Sequence, residues 1–481
     1  MARDDADRDG WLAVYKRVQS AVTQYATADT ETQGILTTEL LKIADSDDPG
    51  VAFAAVQGLR RVFLEEIASS SPQKRRQVAS HHVRSVLGST PSPYRAQLLR
   101  QLLKKQTVED HQGGDSEEEE DDDDKDIHVL YSCSVIQEVD SFGQFLLHLV
   151  DAADASAVTE GMLLTSDLLK RPQDIEDCRD QVHQLAMSVG DHVISWNFDV
   201  RPTYLACGVI DFMIDWRAFL VKNADCDTEE VDEDSTERVE WLVTAQRLVN
   251  SSSSITTQAM LLCREQIDSN HACSDAFISS SSSYPFLQKW LLLLSMAMKD
   301  SLDNASDPSF GVLCELPLPM RSQIMAILTE QDDVLVDVLD HLLGITLHFD
   351  DRGIGLPDSL LHKSELHADT LFSDLVKNLG DDHLVLVDML MSSETRMLEY
   401  LVRYLRRCVL TWPEAREAWT QENRLEVVMS VLIRLRMEVE KLFASGVFPY
   451  NPSPLLRRLI SLEEAYEHDE EPSDEGVIEN C

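Results

Sequence analysis

Residues 35–68 read ILTTELLKIADSDDPGVAFAAVQGLRRVFLEEIA. A first apolar-periodic stretch closes on Leu40-Leu41 and Ile43-Ala44. The break follows at Asp47-Asp48-Pro49-Gly50, and a second stretch opens with Val51 and Ala54 and continues through Leu59 and Val62. Asp48 is a good N-cap, and Pro49 fits the first turn of a helix because the missing N–H has no partner there anyway. The segment is therefore predicted to be two helices joined by a tight turn. The same period extends outward. Trp11, Val14, Tyr15, Val18, Val22 and Tyr25 share one face at spacings of three and four. Helices are predicted around 72–87, 92–106, 136–152, 156–170, 174–196, 202–222, 236–250, 255–268, 284–300, 319–347, 366–379, 382–391, 394–410 and 421–445. No Asn-Gly hairpin and no alternating Val/Ile/Thr run bounded by turns marks a strand.

At 481 residues the chain exceeds what one compact core fills, roughly 250–300 residues. It is read as several globular domains or as a stack whose core extends lengthwise. The pattern LL-x-IA, D-P-x-V-x-x-A, L-x-x-V resembles a HEAT or armadillo repeat. The expected fold is all-α, an armadillo/HEAT-like helical repeat stack with disordered acidic loops and tail.

The formal charge is −43, and it is unevenly placed. Ten acids lie between Asp115 and Asp126, eight between Asp225 and Glu237, and nine between Glu463 and Glu479. These runs are predicted to be loops about 107–127 and 223–235 and an acidic tail over 468–481. A serine tract over 269–283 reads as a further loop. So strong a negative field disfavours direct nucleic-acid binding. The nine cysteines include no Cys-x-x-Cys pair, which suits reduced thiols of cytosol or nucleus. MARDDADRDGW lacks the apolar core of a signal peptide. The most apolar run, Trp290 to Met298, is far shorter than the roughly 20 residues that span a bilayer, so a buried helix is expected and no membrane partner.

No HExxH, GxSxG, GxxxxGK[ST] or GxGxxG string occurs. His81 and His82 are adjacent and diverge by about 100° on a helix, so they cannot share an ion. His271 and Cys273 have no second ligand pair nearby. The reading is therefore no catalytic residues, no metal, no cofactor, no small-molecule substrate and no enzyme. Ser116 precedes Glu117-Glu118-Glu119 and is a candidate phosphorylation site for an acidophilic kinase.

The most distinctive strings lie from His341 onward. They are LHADTLF (Leu366–Phe372), DHLVLVDMLMSSETRMLEYLVRYL (Asp382–Leu405) and FPYNPSPLL (Phe448–Leu456). Met397, Leu398, Leu401, Val402 and Leu405 form an apolar stripe, with Ser392 or Ser393 expected to cap that helix. Phe448-Pro449-Tyr450-Asn451-Pro452 reads as a rigid elbow before a short helix. Together the strings resemble the C-terminal region of the Lines family, although the short segment joining the last two departs from the long Ser-rich insertion common there. The resemblance implies a non-enzymatic regulator of developmental patterning and segment polarity, acting on transcriptional output in Wnt-type signalling, in nucleus and cytoplasm. Its implied partners are regulatory proteins such as transcription factors or Wnt-pathway components.

Three regions are expected: a helical N-terminal region over 1–340, a Lines-like helical domain over 341–467, and the acidic tail over 468–481. Glu399, Tyr400, Arg403, Tyr404, Arg406 and Arg407 fall off the apolar stripe and, with Phe448, Tyr450 and Asn451 of the elbow, are the candidate partner-binding residues. The alternative reading, from the acidic runs, is a chaperone or transport adaptor for basic proteins such as histones.

Overall fold

The computed structural model describes residues 2–25, 27–46, 48–88, 91–104, 122–152, 154–170, 179–196, 198, 203–224, 233–269, 283–303, 313, 321–353 and 366–470. All regular structure among them is helical. The helices are α1 (Ala2–Tyr25), α2 (Thr30–Ala44), α3 (Pro49–Ser69), α4 (Pro72–Leu87), α5 (Pro93–Leu103), α6 (Asp122–Gln137), α7 (Val139–Val150), α8 (Ala155–Leu169), α9 (Arg179–Ile194), α10 (Thr203–Ala224), α11 (Glu233–Ser251), α12 (Ser253–Ser269), α13 (Ser283–Asp303), α14 (Arg321–Leu328), α15 (Asp332–Asp351), α16 (Ala368–Asn378), α17 (His383–Met391), α18 (Met397–Leu410), α19 (Trp412–Gln421), α20 (Leu425–Ala444) and α21 (Ser453–Glu470).

Two compact units divide the chain at residues 244 and 245, inside α11. The described residues on either side of the sequence-based boundary at 340/341 pack within the second unit.

In the first unit the predicted helix pair forms as read. Asp48 Oδ1 accepts from the backbone N–H of Gly50 and Val51 at 2.9 and 3.1 Å, and Pro49 opens α3. Helix α3 buries Val51, Ala52, Ala55, Val56, Leu59, Val62, Phe63 and Ile67, each large aliphatic contributing on the order of 1.5–3 kcal/mol. One row of helices runs α1–α3–α5–α8–α10 and a second pairs α4 with α6 and α7, and α7 with α9. That alternation of two layers is the stack the sequence predicts. Arg95, 2% exposed, ties the layers together. It donates to the Asp45 carboxylate at 2.6 and 2.7 Å, and to the carbonyls of Val86 and Leu41 near the ends of α4 and α2.

In the second unit α13 packs between α12 and α15, the row continues α15–α18–α21, and the facing layer joins α14 to α16, α16 to α19, and α17 to α20. Every residue from Trp290 to Met298 is buried, as expected of that apolar run. No helix of the described residues is long and apolar enough to cross a membrane.

Several boundaries differ from expectation. The acidic run expected to be a loop is helical from Asp122, and α11 begins at Glu233 inside the second run. Carboxylates at a helix N-terminus are favoured by its dipole, so these acids start helices. Residues 105–121, with Ser116, and 225–232, 270–282 and 471–481 lie outside the described residues. The helix expected over 319–347 is interrupted at 329–331. The segment 412–421, for which no helix is predicted from sequence, is α19, with Pro413 in its first turn. The last helix has 18 residues and is not short.

A Cβ on Gly58 of α3 would lie 2.9 Å from Val22 Cγ2 and 3.2 Å from Val18 Cγ1 of α1. Gly58→Leu is expected to destabilise the first unit by about 1–3 kcal/mol through overpacking, and a urea unfolding midpoint unchanged from wild type would contradict this close approach.

Candidate functional site

The second unit gathers the three distinctive strings. Helix α16, from LHADTLF, and α18, from the SSET string, lie in different layers and meet through one carboxylate. Asp369 is fully buried. Arg407, 2% exposed, donates from Nη1 to both Asp369 oxygens at 2.8 and 2.9 Å, and from Nε to Asp350 at 2.6 Å. Tyr404 donates its hydroxyl to Asp369 at 3.1 Å, and the Trp419 indole N–H donates to the Asp369 backbone carbonyl at 3.1 Å. Phe372 stacks on Tyr404 with ring centroids 4.3 Å apart. Burial pushes the Asp369 carboxyl up. The His367 ring and the Arg407 guanidinium outweigh it, so the group stays below the usual carboxylate range. The Tyr404 phenol, buried and beside this charge, is pushed well up.

Two further pairs fix α18 against α15. Arg403 holds the buried Asp340, which also has Lys299 Nζ at 3.7 Å, and Arg396 holds Asp337 at 2.8 Å. Three of the candidate residues of α18 are thus not on an outward face: Tyr400 and Tyr404 are buried in the aromatic core, and Arg407 is the cation of the network. The physical reason is the width of the buried arc. Helix α18 is packed by α15, α19 and α21, which takes in positions that an apolar stripe alone leaves outside. Glu399 and Arg406 are exposed and Arg403 is half-buried.

The complementary departure is in the stripe itself. Met397, Leu401 and Leu405 are buried, but Leu398 and Val402 are only half-buried. They form the floor of an open groove of about 490 Å³ whose remaining walls are Leu390, Ser392, Thr395, Arg396, Glu399, Arg403, Tyr450 and Pro454. The SSET segment does not cap α18. Ser392 ends α17 and accepts from the Glu394 N–H at 3.1 Å, Thr395 donates to the Met389 carbonyl at 3.1 Å, and α18 starts only at Met397. The segment is therefore a turn that shapes one wall. At the elbow Phe448 is buried, so it supports the turn and is not at the surface. Tyr450 is 39% exposed and enters the groove. Asn451 Oδ1 accepts from the Ser453 N–H at 3.1 Å and opens α21.

The strings accordingly divide their work. Inward residues of LHADTLF and of α18 build a buried ionic and aromatic network, and outward residues of the SSET string and of FPYNPSPLL line one groove. Sequence reasoning missed Asp369, Asp340 and Asp350 as partners of α18. The available signal was an aspartate among the apolar positions Leu366, Ala368, Leu371 and Phe372 of LHADTLF.

Removing one partner of a buried pair leaves the other charge uncompensated, at about 3–5 kcal/mol. Arg407→Met is therefore expected to destabilise the second unit by that order, and Arg407→Lys to fall short of wild type because one ammonium cannot serve Asp369 and Asp350 together. Equal denaturation midpoints for wild type and Arg407→Met would contradict it. Asp369 has a depressed folded pKa, so its contribution is present above the unfolded value of about 4 and is lost as pH falls below it. Asp369→Asn should flatten that acid limb of the stability–pH curve.

The family model described as Lines N-terminus matches residues 266–416, and that described as Lines C-terminus matches 428–464. The first two strings fall in the former and FPYNPSPLL in the latter, so they straddle both models instead of lying together in a C-terminal region. The chain is 30% identical over 145 residues to Protein lines of Drosophila melanogaster, covering 29% of this chain and 17% of that one. It is 37% identical over 93 residues to Protein Lines homolog 1 of Homo sapiens, covering 17% of this chain and 12% of that one. The matches thus span less than a fifth of either relative's length. Among solved structures, a circular tandem repeat protein with novel repeat topology is 11% identical at a TM-score of 0.28, covering 96% of both chains. Kap121p is 12% identical at a TM-score of 0.25, covering 95% of this chain and 57% of that one. At such scores the likeness is slight. Over residues 266–416 and 428–464, which carry all three strings, the chain matches the Lines family.

Proposed function

We propose that this protein is a non-enzymatic helical scaffold that binds regulatory proteins through the groove of its second unit, and in that way modulates transcriptional output in developmental patterning and Wnt-type signalling. The observation that carries the binding role is the convergence of Ser392, Thr395, Leu398, Val402, Tyr450 and Pro454, drawn from two separate strings, on one open concave surface. A volume of this size is within the roughly 300–1,000 Å³ of ligand-sized sites, and stacked helices bind partners along such surfaces. The pathway comes from the match to the Lines family, and the nucleus and cytoplasm are its place of action.

The test is a groove variant that leaves the network intact. Leu398→Glu with Val402→Glu places two charges on half-buried positions and spares Arg407, Asp369 and Asp340. Full-length wild type and variant would be compared by affinity purification from nuclear and cytosolic extracts and on a Wnt-responsive transcriptional reporter. Transcription regulators or Wnt-pathway proteins are expected with wild type alone, with the reporter response lost in the variant at unchanged thermal stability. Recovery of histones and other basic proteins by both chains, abolished by salt, would instead support an acidic chaperone for basic proteins.

A further inference from the structure

Six arginines of the second unit are committed to acids. Arg321 holds Asp374 and Glu422, Arg396 holds Asp337, Arg403 holds Asp340, Arg407 holds Asp369 and Asp350, Arg424 holds Asp381, and Arg436 holds Glu440 and Glu463. Arg406 and Arg458, like Arg434 and Arg457, which donate to Ser430 Oγ and the Ser453 carbonyl, have no carboxylate partner among the described residues, in a chain of net charge −43 where acids are in large excess. Their positions are related. Arg406 lies one helical turn beyond Val402 on α18, and Arg458 one turn beyond Pro454 on α21. Val402 and Pro454 both line the groove, and α18 packs directly on α21. Arg406 and Arg458 are not among the lining residues, but each follows one by a helical turn, on the two helices that carry the groove's walls. Leu410, a further turn along α18, is 75% exposed. At the opposite end stands Glu399.

We infer that the groove recognises an acidic peptide segment of a partner protein, with aliphatic anchors seated over Leu398 and Val402 and carboxylates held by Arg406 and Arg458. The inference rests on the groove being the binding surface and adds the chemistry of its occupant. Arginine presents a rigid fork that matches a carboxylate. A groove flanked one turn on by two such forks and floored by aliphatic side chains discriminates by charge at one end and by apolar burial at the other. Glu399 at the far end disfavours a uniformly acidic ligand, so the recognised segment is polarised, with its anchors at one end and its acids at the other. The chain's own negative charge does not override this, because exposed charges more than about 10 Å away are largely screened at 0.1 M salt.

The test uses the full-length chain and a phage-displayed library of random 12-residue peptides, with enriched peptides resynthesised and measured by fluorescence anisotropy. Sequences with Leu, Ile, Val or Met next to a cluster of Asp or Glu are expected. Arg406→Glu with Arg458→Glu should weaken them about tenfold or more, and peptides with Lys in place of the acids should regain affinity for that variant. Arg406 is exposed and Arg458 half-buried on their helices, and a matching thermal midpoint shows that the fold is kept. Enriched peptides that are basic, or that bind wild type and the double variant equally, overturn the inference. If these peptides are still lost in Leu398→Glu with Val402→Glu, the groove stands and only the acidic chemistry fails. If no peptide bound depends on either variant, the groove reading fails as well. Displacement of the bound peptide by one spanning residues 471–481, with tighter binding after deletion of those residues, would assign the groove to this chain's own acidic tail and overturn the partner assignment.

Discussion

The buried Asp369 carboxylate is the point on which the second unit turns. It accepts from Arg407 and Tyr404, its backbone carbonyl accepts from Trp419, and Arg407 reaches on to Asp350. Four helices, α15, α16, α18 and α19, are therefore referred to one residue. A carboxylate with no exposure is tolerated only when its charge is met and its lone pairs are filled, and here both conditions hold. Such a pair contributes modestly to net stability compared with an apolar replacement, but its directionality fixes the rotation of α18 about its axis. That rotation decides which side chains point into the core and which line the groove.

Arg95 plays a similar part in the first unit. It neutralises Asp45 and satisfies two carbonyls near helix ends, groups that otherwise lack intrahelical donors. A second polar cluster in that unit joins His82, 1% exposed, to Glu66 and Tyr131 at 2.9 Å each, with Phe63 stacked on the imidazole at 3.9 Å. Burial lowers the His82 pKa and the His82 hydrogen bond lowers that of Glu66. Both groups thus bind fewer protons when folded, and acidification works against the folded unit. Repetition of such polar ties between layers lets a stack of amphipathic helices hold a defined register where leucine-rich faces alone would permit sliding.

The groove illustrates how a functional surface follows from this register. An SSET turn, an elbow of two prolines and the first turns of α18 and α21 are brought side by side, so that residues some 50 positions apart share a wall. Its floor is aliphatic, and both of its lining arginines, Arg396 and Arg403, are committed to aspartates of α15.

The amino-acid sequence by itself determined the helical class, because a period of 3.6 recurs from Val14 to Leu462 and strand signals are few. It also determined the Asp48-Pro49 turn, whose chemistry is local, and the family strings, whose order is linear. Periodicity could not locate the helix starts in the acidic runs or α19, since a dipole-favoured acid and a first-turn proline read as loop in isolation. Nor could it assign the faces of α18. Tyr400, Tyr404 and Arg407 look like surface residues on a single helix and become buried because three neighbours enclose it, while Leu398 and Val402 look like core and remain open because α21 covers them only in part. Which apolar residue is buried and which arginine is paired depends on the placement of other helices, and only tertiary packing decides that.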